Sequence, residues 1–273
     1  MPFRPFFCAI VSFSLTCTLA MHIKRSSSCQ SFSSTFPVSS VSSRSSSDDV
    51  PTSPFVAISP EGSYRAGNDG LELFLQRPDG HITTRGGAND KVADGATINS
   101  TFTLLYGKVT YEVLSPLVAG VVTAVILIAD EHDEIDVELL GGDPSHWQTN
   151  VFAPSPEDKQ PLWGVFSSIE DVPAAKSPDA SINDFHKYSI DWSADRIVWG
   201  VDGKSVRTIS REQTRKNGTL HYPSHPARVQ LGIWDASTPV GTAEWAKGPI
   251  EWDKAPKMMT AIIRSVEVEC PNF

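Results

Sequence analysis

Asp133-Glu134-Ile135-Asp136-Val137-Glu138-Leu139-Leu140-Gly141-Gly142 alternates acidic and aliphatic residues from Glu134 to Leu139. On an extended strand, residues i, i+2 and i+4 share a face, so Glu134, Asp136 and Glu138 point one way while Ile135, Val137 and Leu139 point the other. One face is acidic and the other is core. Gly141-Gly142-Asp143-Pro144 then ends the strand and returns the chain, bringing His146, Trp147, Gln148 and Asn150 back beside the acidic row.

The surrounding chain has the same texture. Leu71–Leu75, Val109–Val113, Val121–Ile128, Tyr188–Trp192, Arg196–Val201, Arg228–Ile233 and Ile262–Val268 are short alternating or apolar runs punctuated by Gly, Pro, Asn and Asp. Asp202-Gly203 between two such runs marks a tight hairpin. No stretch keeps a 3.6-residue apolar period over three turns, and the best short helix is Ser210–Arg215. Many short strands with regular turn signals predict an all-β sandwich or barrel, and a concave sheet would supply a groove for a polymer.

Three like charges on one strand face repel one another, which is costly for mere surface decoration. Their spacing suits glycoside chemistry. At about 3.3 Å per residue the Cα atoms of Glu134 and Glu138 are about 13 Å apart. Two arms leaning inward bring the carboxylates to about 5–6 Å, the range of a retaining mechanism. Asp136 between them can hydrogen-bond the nucleophile and keep one carboxyl of the set protonated near neutral pH. The plain alternative is an exposed edge strand with alternating charge.

Composition and charge bound the rest. The chain has 273 residues, 40% of them hydrophobic, enough for one large domain with a full core. A net charge of −9 provides no basic field for nucleic acid or an anionic membrane. Arg4 followed by the apolar run Pro5–Ala20 reads as a signal peptide over residues 1–20, too short for a membrane span. Residues 21–54 are Ser-rich and are expected to be a disordered segment, with Lys24-Arg25 a dibasic pair inside it. The catalytic domain is then 55–273. No hydrophobic tail follows Cys270-Pro271-Asn272-Phe273, so the expectation is a secreted protein, extracellular or in a cell wall, without a membrane span or C-terminal lipid anchor. Cys8 and Cys17 would leave with the signal, and an oxidising compartment permits a Cys29–Cys270 bridge. Two distant thiols and scattered His give no metal-ligand spacing. Asn99-Ser100-Thr101 and Asn217-Gly218-Thr219 are glycosylation sequons, expected on the surface if used.

The acidic ladder with Leu139-Leu140-Gly141-Gly142-Asp143-Pro144 and Gln148-Thr149-Asn150 resembles glycoside hydrolase family 16, and within it the fungal Crh-type cell-wall transglycosylases. The resemblance continues through Tyr106-Gly107-Lys108-Val109, Asp184–Trp192, Val201-Asp202-Gly203, Leu231–Trp234 and Gly241–Ala246. It covers roughly residues 60–270. It implies a β-jelly-roll sandwich of two antiparallel sheets with a concave cleft, retaining chemistry and no cofactor. On the family's motif, Glu134 corresponds to the nucleophile, Asp136 to the assisting acid and Glu138 to the general acid/base. The implied partners are cell-wall polysaccharides, chitin and β-glucan; separately, the protein is expected to be a monomer.

A sugar groove needs flat aromatic plates and hydrogen-bonding edges. Trp147, Trp234 and Trp245, with Gln148 and Asn150, lie in the family-like segments and are the expected substrate contacts. Core packing is the alternative for each Trp. Trp192, Trp199 and Trp252 read as buried at least as readily, and nothing in its surroundings places Trp163. His132 reads as a cap or a solvated residue, and His186 as a structural one. Three functions fit these residues: a transglycosylase, a plain endo-β-glucanase or chitin hydrolase, and a non-catalytic carbohydrate-binding jelly roll. The last has no use for three mutually repelling, desolvated acids.

Overall fold

The computed structural model describes residues 29–43, 53–173 and 180–271. The signal-like run 1–20 and Lys24-Arg25 lie outside them. In chain order the strands are β1 (Phe32–Ser34), β2 (Val41–Ser43), β3 (Phe55–Ala57), β4 (Tyr64–Gly67), β5 (Gly70–Gln76), β6 (Thr84–Arg85), β7 (Ala88–Asn89) and β8 (Ala96–Ser100). They continue with β9 (Gly107–Leu114), β10 (Val121–Ala129), β11 (Glu134–Leu140), β12 (His146–Phe152), β13 (Ser168–Asp171) and β14 (His186–Trp192). The last are β15 (Arg196–Val201), β16 (Lys204–Ser210), β17 (Arg215–Lys216), β18 (Thr219–Leu220), β19 (Ala227–Asp235) and β20 (Met258–Glu269). One short helix, α1 (Val240–Trp245), follows β19.

Two eight-stranded sheets face each other. One runs β16-β15-β14-β9-β20-β5-β4, with β1 added beside β20, and the other runs β13-β12-β11-β10-β19-β8-β3-β2. Every pairing in the second sheet is antiparallel except β2 with β3. The expected all-β, two-sheet sandwich is therefore the fold, and each run read as a strand lies in one. Period-2 alternation explains why. Val109, Tyr111 and Val113 of β9 and Ile135, Val137 and Leu139 of β11 point between the sheets and are buried, while their alternate neighbours point outward. The Asp202-Gly203 hairpin joins β15 to β16 with both residues at positive φ, 48° and 77°, as a two-residue turn of matching twist requires. Ser210–Arg215 shortens to a single 3-10 turn, Arg211–Thr214.

Residues 29–43 correct the expected boundary of the disordered segment. They are part of the domain. Cys29 is bonded to Cys270, β1 pairs with β20, and Phe32 and Phe36 pack against Phe55. Phe36 is fully buried. A serine-rich stretch orders here because its few aromatic residues find core to fill and a cross-link holds the chain beside it.

Candidate active site

Strand β11 lies inside its sheet, flanked by β10 and β12. It is no edge strand, which removes the plain alternative for its alternating charge. The strand is also fixed from behind and at its start. The Trp199 indole, on the opposite sheet, donates to the Asp136 carbonyl at 3.0 Å. Buried Asp133 accepts from the Ser224 and His225 backbone amides at 2.7 and 3.1 Å, and its carboxylate lies 2.8 Å from His225 Nδ1. Past its end, a Cβ on Gly141 would stand 2.3 Å from the Val118 carbonyl oxygen, so only glycine lets the chain turn so close to the preceding loop.

Register determines what shares the acidic face. Glu134 is opposite Phe152, Asp136 opposite Asn150 and Glu138 opposite Gln148 across β12. On the other side they meet Ile128, Ile126 and Ala124 of β10, and behind those stand Gln230 and Gly232 of β19. All three acids line one cleft of about 1020 Å³ together with Gln148, Asn150, Gln230, Trp234 and Trp245. Trp234 and Trp245 stack with ring centres 5.9 Å apart, and the Trp245 indole donates to Gln148 Oε1 at 2.8 Å. A second cavity of about 810 Å³, around Leu117, Lys247 and Trp252, contains none of the acids. Among the described residues no group of His, Cys, Asp and Glu could hold a metal ion.

The electrostatics separate the three carboxyls. Burial, then the charges of Glu138 and Glu134, push Asp136 well above the ordinary carboxylate range, against a hydrogen bond from Asn150 that pulls it down. Burial, then the charge of Glu134, pushes Glu138 up to about 7. Burial also raises Glu134, while the charge of His132 lowers it. Burial and like charge thus disfavour the ionised form of Asp136, Glu138 is poised between acid and base, and Glu134 is the carboxyl whose rise is opposed by the charge of His132. Such a set can attack a carbon, protonate a leaving oxygen and take the proton back.

This geometry and the sequence converge on one family, since residues 56–254, more than half of the chain, match the model for Glycosyl hydrolases family 16. The chain belongs to glycosyl hydrolase family 16. Among its relatives, "Crh-like protein 2" of Aspergillus fumigatus is 37% identical over 185 residues, which cover 64% of this chain and 40% of that protein. "Congo red hypersensitive protein 1" of Saccharomyces cerevisiae is 31% identical over 208 residues, covering 75% and 35%. The chain spans about two fifths of the length of the curated relatives it matches. Among solved structures, "Crh5 transglycosylase in complex with NAG" superposes with a TM-score of 0.67 at 27% identity, over 90% of this chain and 86% of that one. The Bacillus licheniformis β-glucanase has the same fold, with a TM-score of 0.63 at 18% identity over 88% and 98% of the two chains.

Within this family 16 cleft, Trp147 must be corrected. It does not face sugar. It alternates with Gln148, so it points between the sheets, fully buried, edge-on to Tyr188 at 5.0 Å, with its indole donating to the Asp171 carbonyl. Replacing Trp147 with Ala should therefore cost about 3–5 kcal/mol of stability through the cavity left behind, read as a lowered urea midpoint. A raised KM with an unchanged midpoint would return Trp147 to the groove. His186 also lies away from the acids, buried on the opposite sheet with Nδ1 2.8 Å from Asp202. Trp192, Trp199 and Trp252 are buried.

One residue at the cleft, Trp163, and one beside a cleft residue, Asn99, lie where no pattern in the sequence placed them. Trp163, on the β12–β13 loop, lines the cleft with 68% of its surface exposed, stacked on Phe152 at 4.4 Å. Asn99, expected as a surface sequon, is half-buried in β8, where it pairs with Gln230, and its amide oxygen accepts from Gln230 Nε2 at 2.9 Å. A glycan there would stand beside Gln230, which lines the cleft. Asn217 is exposed at the β17–β18 turn with φ 51°.

Proposed function

We propose that this chain is a secreted, retaining β-glycosidase of the fungal cell wall that cuts chitin-type or β-glucan chains and transfers the glycosyl unit to a glucan acceptor. The reading is carried by three carboxyls on one strand face in the floor of a long cleft, with Glu138 raised to about 7. Ionised Glu134 attacks the anomeric carbon as the glycosidic C–O bond breaks, and the leaving oxygen takes the Glu138 proton. The acceptor hydroxyl then returns a proton to Glu138 as its oxygen displaces Glu134 from the same carbon. The upward push on Asp136 favours its neutral form, which can donate a hydrogen bond to a neighbouring carboxylate without adding a third charge. Trp234, Trp245, Gln148 and Asn150 are the proposed sugar contacts.

The similarity to Crh-type proteins supports the substrate class, and the Cys29–Cys270 bridge supports an oxidising, extracellular setting. No described helix is long and apolar enough to cross a membrane. The protein is proposed to act as a monomer. A plain endo-hydrolase would use the same three acids, because transfer and hydrolysis divide one intermediate. Incubation with a chitin oligosaccharide and a labelled β-glucan oligosaccharide decides between them: labelled hybrid chains are expected, and shortened oligosaccharides alone would remove transfer.

A further inference from the structure

Two residues of the cleft are joined by a bond whose direction chemistry fixes. The Trp245 indole nitrogen lies 2.8 Å from the side-chain amide of Gln148. An indole nitrogen only donates and an amide nitrogen cannot accept, so the Gln148 oxygen must face Trp245. Its Nε2 is then turned away from the indole. Among the described residues nothing accepts from that nitrogen, and it is not sealed off from the cleft that Gln148 lines. Gln148 is the strand partner of Glu138 on the same face, so this donor stands beside the Glu138 carboxyl.

The indole is itself held. Trp245 ends the short helix α1, where buried Ala246 packs with Val122 and Leu140. The Trp245 ring packs on that cluster and stacks on Trp234 with the planes 20° apart. A free glutamine side chain has several soft torsions, and its amide can present either edge. Fixing the amide before a sugar arrives removes an ordering cost that binding would otherwise carry.

We propose that Trp245 is a positioning residue: by holding the Gln148 oxygen it aims the Gln148 amide nitrogen at an oxygen of the sugar unit beside Glu138, and so seats the glycosidic oxygen against the Glu138 carboxyl. The inference deepens the glycosidase reading above and rests on it. It gives Trp245 a task beyond stacking, since any flat ring can stack and only an indole N–H at this place selects the amide edge. Sugar hydroxyls and acetamido carbonyls both accept hydrogen bonds, so a donor edge suits a chitin-type or a glucan chain. The same seat serves both half-reactions, because the leaving oxygen and the incoming acceptor oxygen exchange their proton with the same Glu138 carboxyl.

The test is a cycle of two substitutions, read as kcat/KM on whichever of a chitin and a β-glucan oligosaccharide the unsubstituted protein cleaves. Rates are taken per active site, counted from the glycosyl adduct by intact mass, so misfolded protein does not enter. Gln148→Met keeps the length, removes the donor and should lower kcat/KM about tenfold. Trp245→Phe keeps a stacking ring, removes the N–H and should lower it about fivefold. The double variant should match Gln148→Met alone, where independent losses would multiply to about fiftyfold. Losses that multiply would leave Trp245 a stacking role only and overturn the assignment. Trp245→Phe with kcat/KM unchanged and only the urea midpoint lowered would make the bond merely structural and overturn it too, as would a Gln148→Met variant as active as the parent. If the unsubstituted protein cleaves neither oligosaccharide, the glycosidase reading falls and this inference with it.

Discussion

Glu134→Gln should lower turnover about 10³-fold or more while leaving the fold intact, the loss expected when one member of a catalytic unit is removed. The substitution keeps the shape and removes the charge. A glutamine oxygen cannot form the ester with the anomeric carbon, so the intermediate that both water and sugar would attack is never made. The fold should tolerate the change because burial already disfavours the Glu134 carboxylate. Two measurements check it. Intact mass after incubation with a slowly turned-over donor should show a glycosyl adduct on the unsubstituted protein and none on the variant. The far-UV spectrum and urea midpoint should match or exceed the parent's. Near-normal turnover would rule out Glu134 as nucleophile. The charge removed also raises Glu138, so the Glu138 carboxyl should titrate lower in the variant.

Glu134, Asp136 and Glu138 were legible in the sequence because a strand's period of two is a local property that needs no partner to be known. The same rule, applied one strand later, excludes Trp147. Gln148 and Asn150 cannot face the acids unless Trp147 between them faces the core. Family-like surroundings pointed to the groove, and alternation overrides them. Asn99 was less accessible to such reasoning, since its face follows from pairing with Gln230, some 130 positions away, and a sequon reports nothing about sheet register. Trp163 lies on a loop, where no periodicity says which way a side chain points. The ordering of residues 29–43 was half-written: Cys29 has Cys270 as a partner, and Phe32 and Phe36 are apolar anchors among serines. Composition averages over such anchors and registers only the serines.

Glu138→Gln should lose about 10²–10⁴-fold on a polysaccharide and should also abolish the alkaline limb of the pH profile. With Glu138 raised to about 7, its proton is present below that pH and lost above it, so cleavage by the parent should fall as pH passes about 7. Gln has no such proton to lose, and its residual rate should be flat there. A donor whose leaving group departs without protonation should lose far less, because the removed step is no longer needed. The same shift has a stability consequence. The folded carboxyl binds its proton more tightly than the unfolded one, whose ordinary value is 4.5, so the folded state holds more protons between about 4.5 and about 7. Stability contributed by the neutral form is complete below 4.5 and is lost as pH rises to about 7, leaving a desolvated charge beside Glu134. The variant carries no such charge, so its urea midpoint should exceed the parent's at pH 8 and converge with it near pH 4. A parent rate that holds level through pH 8 would mean that no proton essential to cleavage is lost from Glu138 near 7, and midpoints that differ equally at pH 4 and pH 8 would mean that its carboxyl is not shifted by burial.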